Sequence, residues 1–228
     1  MKINNPFKDL TKFERGLWLV SLFVVTLSFL FLKEKDYLSL LASIIGVTAL
    51  IFVAKGYVIG QLLCVAFALI YGIISIRFRY YGEMITYVFM SAPMAIASTI
   101  SWLKNPYKGT KEVKVGTPTR KQFALMWIYT IAVTIVFYFI LKALNTQQLL
   151  VSTLSVSTSF LAVYLTYLRS PLYACAYGAN DIVLIVLWIL ASIQNISYLP
   201  MVFCFIMFLV NDLYGFINWR KMQKRQTE

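Results

Sequence analysis

The sequence predicts an all-α polytopic membrane protein: a bundle of eight spanning helices, with a three-plus-one-plus-three parallel-repeat core and one extra helix at the N-terminus. Three observations lead there. Of the 228 residues, 60% are hydrophobic and 13% charged, against about 45–50% apolar in a soluble domain. Mean hydropathy is +0.75. The apolar residues gather into runs of the ~20 residues a helix needs to cross hydrocarbon, and the charges collect at the ends of those runs.

The runs cover 16–32, 37–54, 57–76, 84–103, 123–144, 149–168, 171–193 and 198–219. Backbone groups in lipid must be satisfied within their own segment, so runs of this length are helices. Residues 1–36 form a basic segment and the extra first helix. No small-residue cleavage site follows that run, so no cleavable signal is expected. Residues 37–103 hold three spans. Lys55 closes the first of these, Pro93 bends the third, and Ser101-Trp102-Leu103-Lys104 ends it. Residues 104–145 hold a basic loop, "KNPYKGTKEVKVGTPTRK", which its Pro and Gly residues mark as irregular, and a linker helix. Residues 149–219 hold three more spans, with Arg169 in the first turn and Asn218-Trp219-Arg220-Lys221 at the end. Residues 220–228 are a basic tail. Lys55 and Arg169 stand 114 positions apart, and Trp102 and Trp219 stand 117 apart. Those near-equal offsets suggest that 37–103 and 149–219 are copies running in the same direction, a known transporter design with its site near the midplane.

Charge sets the orientation. With eight spans both termini share a side, and sixteen of the 21 basic residues fall on it. Lys33, Lys35, Arg77, Arg79 and Lys142 fall on the other. Positive residues mark the cytoplasmic side, so both termini are expected inside. The net charge of +12 therefore reports topology and implies no nucleic-acid partner. Cys64, Cys175 and Cys204 lie within apolar runs and read as small packing residues.

Two polar pairs interrupt the last two spans: Asn180-Asp181 and Asn211-Asp212. An ionisable group at a helix centre in hydrocarbon costs at least ~2.5–3.5 kcal/mol, so such groups turn inward. Residues three or four apart share a helix face. Tyr173, Tyr177, Asn180, Asp181 and Trp188 form one such stripe. Asn211, Tyr214 and Asn218 form another, and Gln61 and Tyr87 lie on stripes of the third and fourth spans. These faces would line a cavity suited to a flat, hydrogen-bonding organic solute. Structural alternatives stand beside that reading. Asn180 and Asn211 could bond across helix interfaces for ~0.6–2 kcal/mol. Asp181 and Asp212 could be protonated, accept tyrosine hydroxyls or line a water path. Trp188 reads equally as an interfacial belt residue. Trp102, Trp219, Tyr80 and Tyr81 read as belt residues, and Glu83 as solvated near the end of its span.

Several functions are excluded. The chain has no histidine, so it has no His-based metal site or general base. It has no phosphate-binding glycine loop with its lysine, and no Ser or Cys with a His partner. The Gly-x-Gly-Asp context of intramembrane aspartyl proteases is missing at Asp181, which follows Gly178-Ala179-Asn180. No enzyme activity and no cofactor are expected.

The runs "RSPLYACAYGANDIVLIVLW" and "FLVNDLYGFINW" resemble the C-terminal half of PnuC-type vitamin transporters. "GYVIGQLL", "YYGEMITY" and Trp102 fit the same family less tightly, and the likeness covers most of residues 37–221. The resemblance implies a SWEET-like fold with seven core helices, a homotrimer, and a bacterial inner-membrane carrier of nicotinamide riboside, a precursor of NAD. It implies facilitated diffusion, made net by a cytoplasmic kinase that phosphorylates the riboside. Relatives in the superfamily carry thiamine, riboflavin or deoxynucleosides. By position it carries substrate binding to Asn180, Trp188, Asn211 and Tyr214, and less closely to Gln61 and Tyr87. The stripe adds Tyr177, and Asp181 or Asp212 could balance a cationic solute. The first span departs from the seven-helix pattern.

Overall fold

The computed structural model describes residues 5–30, 36–77 and 80–228. Helix α1 spans Lys12–Leu30, α2 Tyr37–Ala54 and α3 Val58–Arg77. The fourth span is broken into α4 (Tyr81–Ile85), a π-helical turn (Thr86–Ser91) and α5 (Ala92–Leu103). Then follow α6 (Arg120–Ala143), α7 (Leu149–Tyr167), α8 (Tyr173–Gln194) and α9 (Leu199–Thr227). Among the described residues, eight helical stretches are long and apolar enough to cross a membrane, as the sequence predicts. No strand occurs among them, and two isolated bridges, Tyr57–Glu112 and Pro106–Val113, are the extended pairings. Lys2, Lys33, Lys35 and Arg79, used in the charge count, lie outside the described residues.

Local chemistry starts and stops these helices. Asp36 caps α2 by accepting from the backbone N–H groups of Leu38 and Ser39 at 3.1 and 3.4 Å. Thr119 and Gln122 form a reciprocal capping box at the start of α6, and Thr11 and Glu14 form another at the start of α1. Each such box satisfies two otherwise orphaned donors. The end of α2 and the end of α7 are closed alike. Gly56 (φ 69°) and Arg169 (φ 57°) both adopt the left-handed conformation. Around them, Tyr57 N–H reaches Phe52 O and Gly56 N–H reaches Val53 O, just as Ser170 N–H reaches Leu165 O and Arg169 N–H reaches Thr166 O. This is the Schellman arrangement. Glycine adopts it without strain, whereas arginine does so at a cost of about 1–2 kcal/mol. The Arg169 side chain offsets that cost by donating to Lys114 O at 3.1 Å and Ser101 Oγ at 2.7 Å. Burial pulls its guanidinium pKa below the ordinary value. Tyr57, in the matching turn, is pushed up to about 12 by burial and by the charges of Asp9 and Glu112.

The packing is reciprocal. Helix α2 lies on α3 and α9, while α7 lies on α8 and α5; α3 packs on α5 as α8 packs on α9. Gly60 allows α3 to approach α2, because a Cβ there would meet Val53 N at 2.5 Å. Helix α6 packs on α7, and α1 packs on α2 and α9.

The fold corrects several expectations. Trp102 and Trp219 are fully buried rather than interfacial; their rings meet at 5.3 Å, and each indole N–H donates to a backbone carbonyl, Thr166 O and Val53 O respectively. Tyr80 is buried as well, while Tyr81 is exposed. Helix α9 continues through the basic tail to Thr227. The basic loop is irregular in backbone, as expected, and it is tied down. Val113 N–H and Gly116 N–H donate to Gly56 O and Arg169 O, both at 2.9 Å. Gln226 accepts from Val115 N–H and donates to Val113 O, and Arg225 pairs with Glu112.

Candidate solute cavity

A cavity opens between the helices; the empty space within it, counted out into open solvent, is about 700 Å³. Its lining comes from α2, α3, the π-turn with α5, α7, α8 and α9. Helices α1 and α6 contribute no lining residue among those described. Of the nine candidate residues, Gln61, Tyr87, Tyr177, Asn180, Asp181 and Asp212 line it.

Asn180 is held from α7. Its Oδ1 accepts from Thr158 Oγ1 at 2.8 Å and from Ser159 Oγ at 2.9 Å. Neither bond uses the amide NH2, so both of its donors remain for a guest. One helical position on, Asp181 and Asp212 bring their carboxyl groups close enough to interact. Asp181 Oδ2 is buried with no hydrogen-bond partner among the described residues. Buried polar atoms are normally satisfied, and an orphan of this kind beside a cavity points to a guest or a water. Apolar walls complete the space: Phe67 on α3 and Phe205 and Phe208 on α9. Amides and acids come from α8, α3 and α9, and α3 and α9 carry the phenylalanines as well, so polar and aromatic groups alternate around the space.

The other three candidates do different work. The Asn211 amide donates to Ser21 Oγ on α1 at 3.0 Å and to Met207 O at 2.7 Å. Tyr214 OH donates to Glu14 Oε1 on α1 at 2.8 Å. Trp188 donates to Tyr71 OH at 2.9 Å and is fully buried. None of them lines this cavity. Asn211 and Tyr214 explain instead how α1 is attached. Glu14, 2% exposed, also takes a salt bridge from Lys55 at 3.0 Å, and Trp18 donates to Thr48 of α2 at 3.0 Å. The first helix is thus docked along α2 and α9 through buried polar contacts. Glu83, expected in solvent, is buried too.

Sequence reasoning missed Ser159 and the whole α2 wall of Gly46, Ala49, Leu50 and Val53. A signal for Ser159 was present in the hydroxyl-rich run Ser155–Ser159. For α2 there was none, because small and aliphatic residues mark lipid-facing and cavity-facing surfaces alike.

Comparison with known proteins agrees with this architecture. Residues 36–221 match the family model for the nicotinamide mononucleotide transporter. The nicotinamide riboside transporter PnuC of Neisseria mucosa is 28% identical over 226 residues, covering 97% of this chain and 86% of that protein. The nicotinamide riboside transporter PnuC of Haemophilus influenzae is 24% identical over 212 residues, covering 92% and 90%. A crystal structure of the vitamin B3 transporter PnuC superposes with a TM-score of 0.83 at 27% identity, covering 95% of this chain and 94% of that one. These relatives are transporters, not enzymes. The chain is a multi-pass membrane protein that belongs to the nicotinamide mononucleotide transporter family and groups there with the PnuC transporters.

Proposed function

We propose that this chain carries nicotinamide riboside across a bacterial inner membrane, with both termini in the cytoplasm. The observation that carries this reading is Asn180. Two hydroxyls fix its amide oxygen and leave its NH2 donors beside a cavity that also holds Gln61, Tyr87, Tyr177 and two acids. Nicotinamide riboside offers a carboxamide and ribose hydroxyls, which Asn and Gln pair with. It also offers a cationic ring, which aromatic faces attract by ~0.5–2 kcal/mol and which Asp181 and Asp212 balance. A mononucleotide adds a phosphate, which those acids disfavour. Phosphorylation by a cytoplasmic kinase would therefore trap the solute and make facilitated diffusion net.

The mechanism we propose is alternating access. Residues 37–103 and 149–219 act as two SWEET-like halves that rock about the cavity, joined by α6. The matched turns at Gly56 and Arg169, and the crossed bonds of Trp102 and Trp219, support a division into like halves. A homotrimer follows from the family resemblance, and the outward apolar face of α6 (Ile128, Ile131, Ile135, Phe139) is compatible with it. A second reading, proton-coupled symport of the same solute, is favoured by the adjacent Asp181 and Asp212.

Uptake of labelled nicotinamide riboside into proteoliposomes tests both. Saturable uptake that stops at equal concentrations supports diffusion. Accumulation that follows an imposed pH gradient supports symport. No uptake of nicotinamide riboside contradicts both.

A further inference from the structure

Glu83 of α4 is a buried acid that the transport scheme leaves without a task. It is 1% exposed, and neither carboxyl oxygen has a hydrogen-bond partner among the described residues. The Ser155 hydroxyl of α7 lies close enough to interact with the carboxyl group, but outside hydrogen-bond geometry. A buried carboxylate is tolerated when a proton or a cation neutralises it.

The surroundings favour an organic cation. Glu83 precedes Tyr87 by one helical turn, and Tyr87 lines the cavity. Tyr71, Tyr80 and Tyr87 all lie within range of its charge. Their rings belong to one aromatic wall: Tyr71 meets Tyr87 at 4.3 Å, Tyr80 meets Trp188 at 5.1 Å, and Trp188 meets Tyr198 at 5.9 Å. This wall stands at the opposite end of the fourth span from Trp102. The backbone beside it is irregular, since the π-turn begins three residues after Glu83, and such turns gather at functional sites. A small inorganic cation wants several oxygen ligands, and no cluster suited to a metal ion occurs among the described residues. Aromatic faces select organic cations with diffuse charge instead.

We propose that Glu83, with Tyr71, Tyr80 and Tyr87, forms a second, transient site for an organic cation, one helical turn beyond the central cavity on the side away from Trp102. The solute's charged ring rests there between the cavity and that face of the membrane. Taking nicotinamide riboside as the cation rests on the reading given above.

The test compares wild type, Glu83→Gln and Glu83→Asp in proteoliposomes. The solutes are nicotinamide riboside and its uncharged dihydropyridine form, and equilibrium titration of the detergent-solubilised proteins accompanies the fluxes. Glu83→Gln is expected to slow uptake of the cation at least tenfold. Uptake of the neutral form should stay within twofold, and equilibrium affinity for the cation within threefold. Glu83→Asp, which keeps the charge, should fall between, and it carries the test if the glutamine variant does not fold. Unchanged uptake of the cation, or equal slowing of both solutes, overturns the proposal and leaves the substrate assignment intact. A wild type that neither binds nor carries nicotinamide riboside overturns the substrate assignment first, and this site with it.

Discussion

The indole of Trp219 donates to the carbonyl of Val53 at 2.9 Å, tying the last helix to the end of α2. Trp102 does the same for α7, through Thr166 O at 3.0 Å. Both carbonyls already accept a turn N–H from Gly56 or Arg169, so losing the indole bond leaves no bare acceptor. Trp102→Phe and Trp219→Phe should therefore cost only about 1–2 kcal/mol each, one net hydrogen bond plus some lost packing. That corresponds to melting about 2–8 °C lower for a chain of this size. Thermal melts in detergent check this, with the two variants expected to match.

Asn180→Ala removes the cavity's one amide held by two hydroxyls. Affinity for the solute should fall at least tenfold, equivalent to about 1.4 kcal/mol. Ser159→Ala loosens that amide without removing it, so a loss of about two- to fivefold is expected, under ~1 kcal/mol. Titration of each variant gives the order directly.

Asn211→Ala and Tyr214→Phe act on the α1 seam rather than on the cavity. Tyr214→Phe removes a donor from the buried Glu14, a charged acceptor, and should cost about 1.5–3 kcal/mol of stability. Solute affinity should stay within twofold for both variants. Melts paired with titrations separate the two effects.

Lys55→Met leaves Glu14 buried beside a lost cation, which should cost about 3–5 kcal/mol. Adding Glu14→Gln should recover much of that loss. A double-mutant cycle by thermal melting measures the recovery.

Much of this architecture was legible in the sequence, because spans and their ends follow from composition and charge placement alone. Asn180 and Asp181, picked out as polar interruptions, turned out to face the cavity. Asn211 and Tyr214 did not, for a physical reason. A buried polar side chain in a span must face protein, but the sequence does not say which neighbour. On α9 one face meets the cavity through Asp212, while Asn211 and Tyr214 meet α1. Trp102 and Trp219 misled because tryptophan at a span end serves equally at an interface or between helices. The match of Lys55 to Arg169 was one position off the backbone equivalence, which pairs Gly56 with Arg169. Charge is visible in a sequence, and a left-handed φ on arginine is not. The α2 wall and the burial of Glu83 depend on which way α2 and α4 turn, which only packing decides.

In the function proposed above, the cavity around Asn180 recognises nicotinamide riboside. Calorimetric titration of the purified chain tests it most directly, using nicotinamide riboside, thiamine, riboflavin and nicotinamide mononucleotide against wild type and Asn180→Ala. Saturable binding of nicotinamide riboside to wild type is expected, with at least tenfold weaker binding to Asn180→Ala and markedly weaker binding of the mononucleotide. Tighter binding of thiamine or riboflavin, or equal affinity in the Asn180→Ala variant, would contradict it.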